Sequence, residues 1–266
     1  MTEHKDSKDY GEQSLRLAKK IRERELEAEA CHVLAWSYHK SKDYEKSKEY
    51  GNQLLNIAVE VGNKELEAKA CHVLSWSHLM IGDGLLGRAE EVRGELSEKM
   101  SRYTLPLSRD STKEYIQSQS YSRRSLGIAQ EVGNRELQAD SLCALAWSLH
   151  MVRDFTESRK YCEQLLKIAR EVQNKELEAE ACFLLGWSYN LTYKFVRSEK
   201  YSEHSLRIAK EVKNKKLEKE ASIVQDLSSK LSYTVTEERK DELEIFLDDA
   251  EEEVSEYSMS GRDVTM

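Results

Sequence analysis

Hydrophobic positions recur along the chain in stripes that have the spacing of α-helices. In the stretch 43–63, DYEKSKEYGNQLLNIAVEVGN, small and apolar residues return at three- and four-residue steps, which is one face of a helix. These positions are Ser47, Tyr50, Leu54, Ile57, Ala58 and Val61. The stretch 25–41, ELEAEACHVLAWSYHKS, predicts a helix before it. Alternating β-branched runs bounded by turn signals are absent from the sequence, so the pattern indicates an all-α chain.

Turn signals separate these helices. Asp43 and, farther along, Asp154 are natural N-caps. The Gly62-Asn63 pair follows the second helix, and Asn can adopt the left-handed conformation that stops a helix. We therefore expect Asn63 to end the helix.

The helix pair is repeated. Four near-copies carry a Trp at the same place, and these are the only Trp residues of the chain: Trp36, Trp76, Trp147 and Trp187. The first and last spacings are 40 residues, while the middle one, of 71, is 31 residues longer. Because a lone helix pair cannot bury its apolar stripe, neighbouring pairs must stack. A two-helix unit of this length predicts a right-handed α-solenoid of antiparallel helix pairs.

The spacing divides the chain into a repeat array over 1–236 and an acidic amphipathic helix with a tail over 237–266. The expected units are a half repeat (9–24), repeats at 25–63, 65–134, 136–174 and 176–214, and a degenerate repeat (217–236). The second repeat contains an insertion at 83–113.

The insertion and the tail each have an apolar stripe. The first predicts an additional amphipathic helix over 85–103 that Pro106 ends, after which Ser111 or Asp110 caps the resumed repeat helix. This helix either lies on the edge of the solenoid or forms a second docking surface. The tail either caps the last repeat or docks on a partner or on the array itself. Its stripe consists of Leu243, Phe246, Leu247, Ala250, Val254 and Tyr257.

The repeats resemble the tetratricopeptide repeat (TPR) family. The resemblance lies in Leu followed by a small residue at Leu34-Ala35, in the aromatic Tyr38, and in Tyr44 before the small Ser47. The 40-residue period with its IAxEVGNKELEA joint is most similar to the long TPRs of the Leu-Gly-Asn-repeat (Pins) and rapsyn scaffolds. The resemblance covers roughly residues 9–232. It implies a TPR superhelix whose first helices line a concave surface that binds peptides.

The first helices carry a second face outside the arc of core positions. On a helical wheel of 25–41, this face holds Glu29, His32, Trp36 and His39. The resemblance places it in the peptide-binding groove. Each Trp either fills the space between adjacent first helices or contacts a ligand, and one ring can do both. The matching residues of the later repeats are Lys69, His72, Trp76, Leu79, Asp140, Cys143, Trp147, His150, Glu180, Phe183, Trp187 and Asn190.

Charge and composition restrict the class of partner. The net charge is −8, of which residues 237–266 supply −9, so the remaining chain is nearly neutral. A neutral body lacks the cluster of Lys and Arg that nucleic acid requires. No apolar run in the sequence comes close to eighteen residues, the length that a membrane-spanning helix needs. The polar start MTEHKDSKDY does not resemble a signal peptide. We therefore expect no nucleic acid, no membrane contact and a cytoplasmic protein.

Catalytic and metal-binding signals are missing from the sequence. It contains no phosphate-binding loop, Gly-x-Ser-x-Gly or His-Glu-x-x-His motif. Cys31 and His32 are adjacent on a helix and diverge by about 100°, so they do not predict a metal site. We expect the cysteines to be small core residues: Cys31, Cys71, Cys143, Cys162 and Cys182.

Together these features predict a non-enzymatic adaptor, without cofactor or metal, that binds a protein or peptide segment in a Trp-lined groove. The alternative is a structural scaffold that self-associates through its incomplete N-terminal repeat or its acidic C-terminal helix.

Overall fold

The computed structural model describes the backbone of residues 2–93 and 107–238, and the side chains of 7–85 and 107–232. These residues form ten α-helices and no β-strand, which confirms the predicted fold class. In chain order the helices are α1 (Thr2–Ile21), α2 (Arg24–Lys40), α3 (Tyr44–Val61), α4 (Lys64–Arg93), α5 (Arg109–Glu131), α6 (Arg135–Met151), α7 (Phe155–Glu171), α8 (Lys175–Leu191), α9 (Phe195–Glu211) and α10 (Lys215–Glu238).

The helices stack in two layers. Each helix packs on the next one along the chain, and α2, α4, α6, α8 and α10 also contact one another in series. The odd-numbered helices do not contact each other to the same extent in the part of the chain that the structure describes. A stack bends toward the layer whose members lie closest together, so we call the even-numbered helices the inner helices and the odd-numbered ones the outer helices.

Apolar and small side chains fill the space between the layers. The Leu of each Leu-small pair is fully buried, as at Leu34 and Leu145. All five cysteines are free and buried, which confirms the prediction that they belong to the core. Buried serines allow adjacent helices to approach closely. For example, the hydroxyl oxygens of Ser47 on α3 and Ser77 on α4 are 2.8 Å apart.

The helix ends follow the sequence signals with one change. Asp43 and Asp154 are N-caps whose side chains accept the backbone N–H of the third residue after each, as predicted. The prediction for Asn63 was wrong. Gly62 takes the left-handed conformation (φ 71°), because it has no Cβ, and the Asn63 side chain caps α4 by accepting the N–H of Leu66 at 3.1 Å.

The insertion also differs from its prediction. Helix α4 continues without a break to Arg93, so residues 85–93 extend an inner helix rather than starting a new one. The remainder of the expected helix, 94–103, and Pro106 lie outside the described residues. The cap of α5 is Ser108, whose side chain accepts the N–H of Ser111 at 3.0 Å, so neither Ser111 nor Asp110 is the N-cap.

A close contact between α4 and α5 explains why a glycine occurs at position 82 inside α4. A Cβ on Gly82 would lie 2.7 Å from the ring of Tyr115, so the glycine makes room for this fully buried ring. The Tyr115 hydroxyl in turn donates a hydrogen bond to Asp83 at 2.9 Å. This contact holds α5 against α4 on the far side of the insertion.

Candidate functional site

Three of the four tryptophans are partly exposed on neighbouring inner helices. Trp36 lies on α2, Trp76 on α4 and Trp147 on α6, each twelve residues after the first residue of its helix. Trp187 on α8 is buried and only 4% exposed. The structure therefore leaves three of the four tryptophans partly exposed along the inner layer.

Two of these indoles are fixed by a histidine one turn earlier. The Trp36 Nε1–H donates to Nε2 of His32 at 3.0 Å, and the Trp76 Nε1–H donates to Nε2 of His72 at 2.9 Å. An imidazole nitrogen can accept only when it carries no proton. Both histidines must therefore be neutral while these bonds exist.

Burial keeps these histidines neutral. It lowers the pKa of His32 to about 4, and the positive charge of Lys69 adds to the effect. It lowers the pKa of His72 to about 3, with smaller contributions from His32 and His39. Burial also lowers the pKa of His39 to about 4. These three histidines are consequently uncharged at neutral pH.

Each exposed indole also packs against the next inner helix. The ring centroids of Trp36 and His72 are 5.3 Å apart, and those of Trp147 and Phe183 are 5.9 Å apart. Trp76 packs against the cluster that contains Cys143. Each of these tryptophans therefore joins two inner helices while it remains partly exposed, so packing and ligand contact stay compatible.

Six candidate side chains are buried, because the neighbouring helices cover the part of the face where they lie. His150 is 1% exposed, its Nδ1 is 3.1 Å from the Ser188 hydroxyl, and Asn190 donates to the Ser228 hydroxyl at 3.0 Å. These contacts connect successive inner helices and form the base of the surface. The buried candidates are Leu79, Cys143, His150, Phe183, Trp187 and Asn190.

The charged candidates differ along the array. Lys69 pairs with Glu65 at 2.7 Å, and Glu29 is exposed. Asp140 and Glu180 are partly exposed, and the Glu180 carboxyl accepts a hydrogen bond from the Cys143 thiol at 3.0 Å.

The two carboxyl groups beside Trp147 resist ionisation. Burial raises the pKa of Asp140 to about 6, and the negative charges of Glu136 and Glu180 contribute. Burial also raises the pKa of Glu180. The surface therefore changes from neutral imidazoles at α2 and α4 to carboxyl groups at α6 and α8.

Metal chemistry has no candidate centre in the ranges 7–85 and 107–232, where no three His, Cys, Asp or Glu side chains could hold one ion together. Over the described part of the chain, each helix is too short or too polar to cross a membrane.

Comparison with known proteins identifies the repeat. Residues 28–58, which include most of α2 and α3, match a family model described as tetratricopeptide repeat, and residues 138–172, which include most of α6 and α7, match a second. The chain carries tetratricopeptide repeats. Trp36 and Trp147 lie inside the matched TPR segments. No curated protein sequence matches the chain.

Two solved structures share the fold of this TPR array. The crystal structure of the apo form of RapI is 18% identical, with a TM-score of 0.53, and the alignment covers 89% of this chain and 80% of RapI. The structure of BtubC (BKLC) from P. vanneervenii is 14% identical, with a TM-score of 0.56, and the alignment covers 88% of this chain and 92% of BtubC. At these identities the likeness concerns the fold alone.

Sequence reasoning missed the bonds that orient the indoles within the TPRs. The signal was present, since His32 precedes Trp36 by four residues and His72 precedes Trp76 by four. Residues four apart lie one above the other on a helix. The bond from the Cys143 thiol to Glu180 joins two different helices and has no such local signal.

Proposed function

We propose that the chain is a non-enzymatic adaptor that binds a segment of a partner protein along its inner helices. The observation that supports this proposal is the row of three partly exposed tryptophans, Trp36, Trp76 and Trp147, on adjacent inner helices. Stacked helical repeats provide extended concave surfaces of this kind for binding. Aromatic side chains are common anchors of protein interfaces.

The bonds within the array define what a partner would meet. The indole N–H groups of Trp36 and Trp76 already donate to histidines. A partner therefore meets the faces and edges of the rings, which favour apolar and aromatic side chains. We expect the bound segment to place such residues at the three indoles.

Charged residues beside the indoles would set the register of the segment. We propose that Glu29 and Lys69 act near α2 and α4, and that Asp140 and Glu180 act near α6 and α8. A positively charged partner side chain next to Asp140 would stabilise its ionised form. A segment with apolar anchors followed by a Lys or Arg fits this arrangement. The free, buried cysteines suit a reducing compartment, and we place this activity in the cytoplasm.

The test compares partner capture by the wild-type chain and by the variant Trp76→Ala/Trp147→Ala. Proteins retained only by the wild type are identified, their segments are synthesised as peptides, and binding is measured by the quenching or shift of Trp fluorescence. We expect the double variant to lose at least about tenfold in affinity.

A matched control is Trp187→Phe, which changes a buried tryptophan of the same row. This variant should bind as the wild type does, provided that circular dichroism shows the same helix content. If the double variant keeps the full set of captured proteins and the same peptide affinities, the proposed groove has no role in binding.

A further inference from the structure

The first hairpin exposes apolar side chains that the later repeats bury. Leu17 on α1 is 61% exposed, whereas Ile57 and Ile208, at the same repeat position, are 4% and 1% exposed. Val33 on α2 is 46% exposed, whereas its counterpart Val73 is fully buried. Leu17 and Val33 are therefore apolar, like their buried counterparts in the later repeats, although they are exposed themselves.

The packing order explains the difference. Each inner helix after α2 is flanked by the preceding inner helix, as α4 is by α2. Among the described residues, α2 has no such neighbour. We call the resulting surface the N-terminal face. It consists of Tyr10, Leu17, Ile21, Leu26 and Val33, which are half of the ten large apolar side chains exposed in the described part of the chain.

Basic residues border the α1 side of this face, while the exposed Glu25 and Glu29 border its α2 side. The stretch 13–24 contains five basic residues and one acidic residue. Arg16, Lys20 and Arg22 are exposed on or just after α1. A grouped apolar surface marks an interaction site more often than scattered apolar residues do. The basic border on the α1 side favours a partner with acidic residues facing α1.

We propose that the N-terminal face binds the acidic segment 243–257 of a second copy of this chain, in the place where a preceding inner helix would lie. This stretch has seven acidic residues, no basic residue and the apolar stripe that begins at Leu243. As a helix it would be about 22 Å long, close to the roughly 25 Å of a 17-residue inner helix. Apolar contact and charge complementarity both favour this occupant.

Distance favours a second copy over the same chain. Four steps along the inner layer separate α2 from α10, and helices packed side by side are about 8–10 Å apart, so the two ends are about 32–40 Å apart. The four residues 239–242 that join α10 to the segment reach at most about 14 Å. The segment therefore falls short of its own N-terminal face.

The C-terminal end offers less apolar surface for the same segment. Within the described residues of α9 and α10, one large apolar side chain is exposed, Leu231 at 41%. Association at the N-terminal face is thus favoured over capping of the chain's own last repeat. Since each copy has one face and one segment, the contact is head to tail and continues into longer chains or closes into a ring.

The test measures the mass of the full chain by light scattering as a function of concentration. We expect the mean mass to rise with concentration for the wild type. Leu17→Asp on the face and Phe246→Asp in the segment should each weaken association at least about tenfold. The matched control is Ile116→Asp on α5, which changes an apolar side chain of similar exposure (53%) outside the face and should associate as the wild type does.

A mixing experiment separates this contact from other forms of association. The Leu17→Asp variant retains its segment, and the Phe246→Asp variant retains its face. Mixed together, they should form a complex of one copy of each that grows no further, because the other two surfaces are blocked. Higher salt should weaken this complex.

Three results would overturn the proposal: a wild type that is monomeric at every concentration, association that neither substitution weakens, or variants that do not combine on mixing. A monomer whose melting temperature falls with Phe246→Asp would show that the segment caps its own last repeat. This proposal is independent of the groove, so Trp76→Ala/Trp147→Ala should leave the mass profile unchanged. Lost partner binding and intact self-association can therefore be told apart.

Discussion

The indole N–H of Trp76 donates to Nε2 of His72 at 2.9 Å, within a single turn of α4. The preceding repeat has the same bond between Trp36 and His32. In the fourth repeat Phe183 takes the place of the histidine, and its ring lies 6.2 Å from that of Trp187. One repeat position thus supports a tryptophan either through a hydrogen bond or through ring contact.

His72→Phe should weaken the array without changing its shape, because Phe183 shows that the position accepts a phenyl ring. The indole of Trp76 would lose its acceptor, and we expect the free energy of unfolding to fall by about 1 kcal/mol. Urea denaturation followed by circular dichroism measures this change. His72→Gln, whose amide oxygen can accept the same N–H, should recover part of the loss. Equal stability of His72→Phe and wild type would contradict the importance of the bond.

Asp140→Asn should stabilise the protein at alkaline pH. Burial raises the pKa of Asp140 to about 6, so the folded state favours the protonated form. This contribution to stability is present below the unfolded pKa of about 4 and is lost as the pH rises through about 6. Asn removes the buried charge, and we expect a gain of about 1–2 kcal/mol at pH 8 and almost none at pH 4. Urea titrations at both pH values check the sign, and a gain that is equal at both would exclude the electrostatic cause.

Three histidines of the inner helices should make the protein sensitive to acid. Their folded-state pKa values are lowered to about 4 at His32 and His39 and to about 3 at His72, while an unfolded histidine titrates near 6.5. Between these values the unfolded chain binds protons that the folded chain excludes. Stability is therefore present above about pH 6.5 and falls as the pH drops toward 4. The slope is best measured in the Asp140→Asn background, and adding His72→Phe should reduce it. An unchanged slope would show that His72 titrates normally.

Two glycine substitutions should have opposite signs. A Cβ on Gly186 would lie 3.0 Å from the backbone nitrogen of Ser202, and backbone of a packed helix cannot easily move, so Gly186→Ala should destabilise by about 1–3 kcal/mol. A Cβ on Gly127, in the last third of α5, would meet nothing within 4 Å. Gly127→Ala should therefore stabilise by about 0.5–1 kcal/mol. Thermal melts of the two variants measure both effects. The prediction would be wrong if both substitutions changed the melting temperature in the same direction.

Most of the fold could be predicted because the same sequence pattern of a helix pair occurs in several repeats. The period of the tryptophans gave the helix pairs, and the apolar surroundings of cysteines such as Cys31 predicted their burial. The left-handed residue was misassigned, because Gly and Asn both favour that conformation and the sequence alone does not divide the roles. In the structure Gly62 ends one helix and Asn63 starts the next.

The candidate site was harder to predict, because a helical wheel describes one helix at a time. Trp36 and Trp187 occupy the same wheel position, yet the first is partly exposed and the second is buried. The difference comes from residues on adjacent helices, which the wheel omits. The extension of α4 through Gly82 was missed for the same reason. This glycine makes room for the Tyr115 ring of another helix and does not form a turn.

The buried thiols make this array a convenient scaffold for chemical labelling. Burial raises the pKa of Cys31 and Cys71 to about 11 and that of Cys182 to about 12, so few thiolates form at neutral pH. A cysteine introduced at the 83% exposed Tyr193 would therefore react with maleimide dyes well before the native ones. A fluorophore could be attached at one chosen joint without first removing the five natural cysteines.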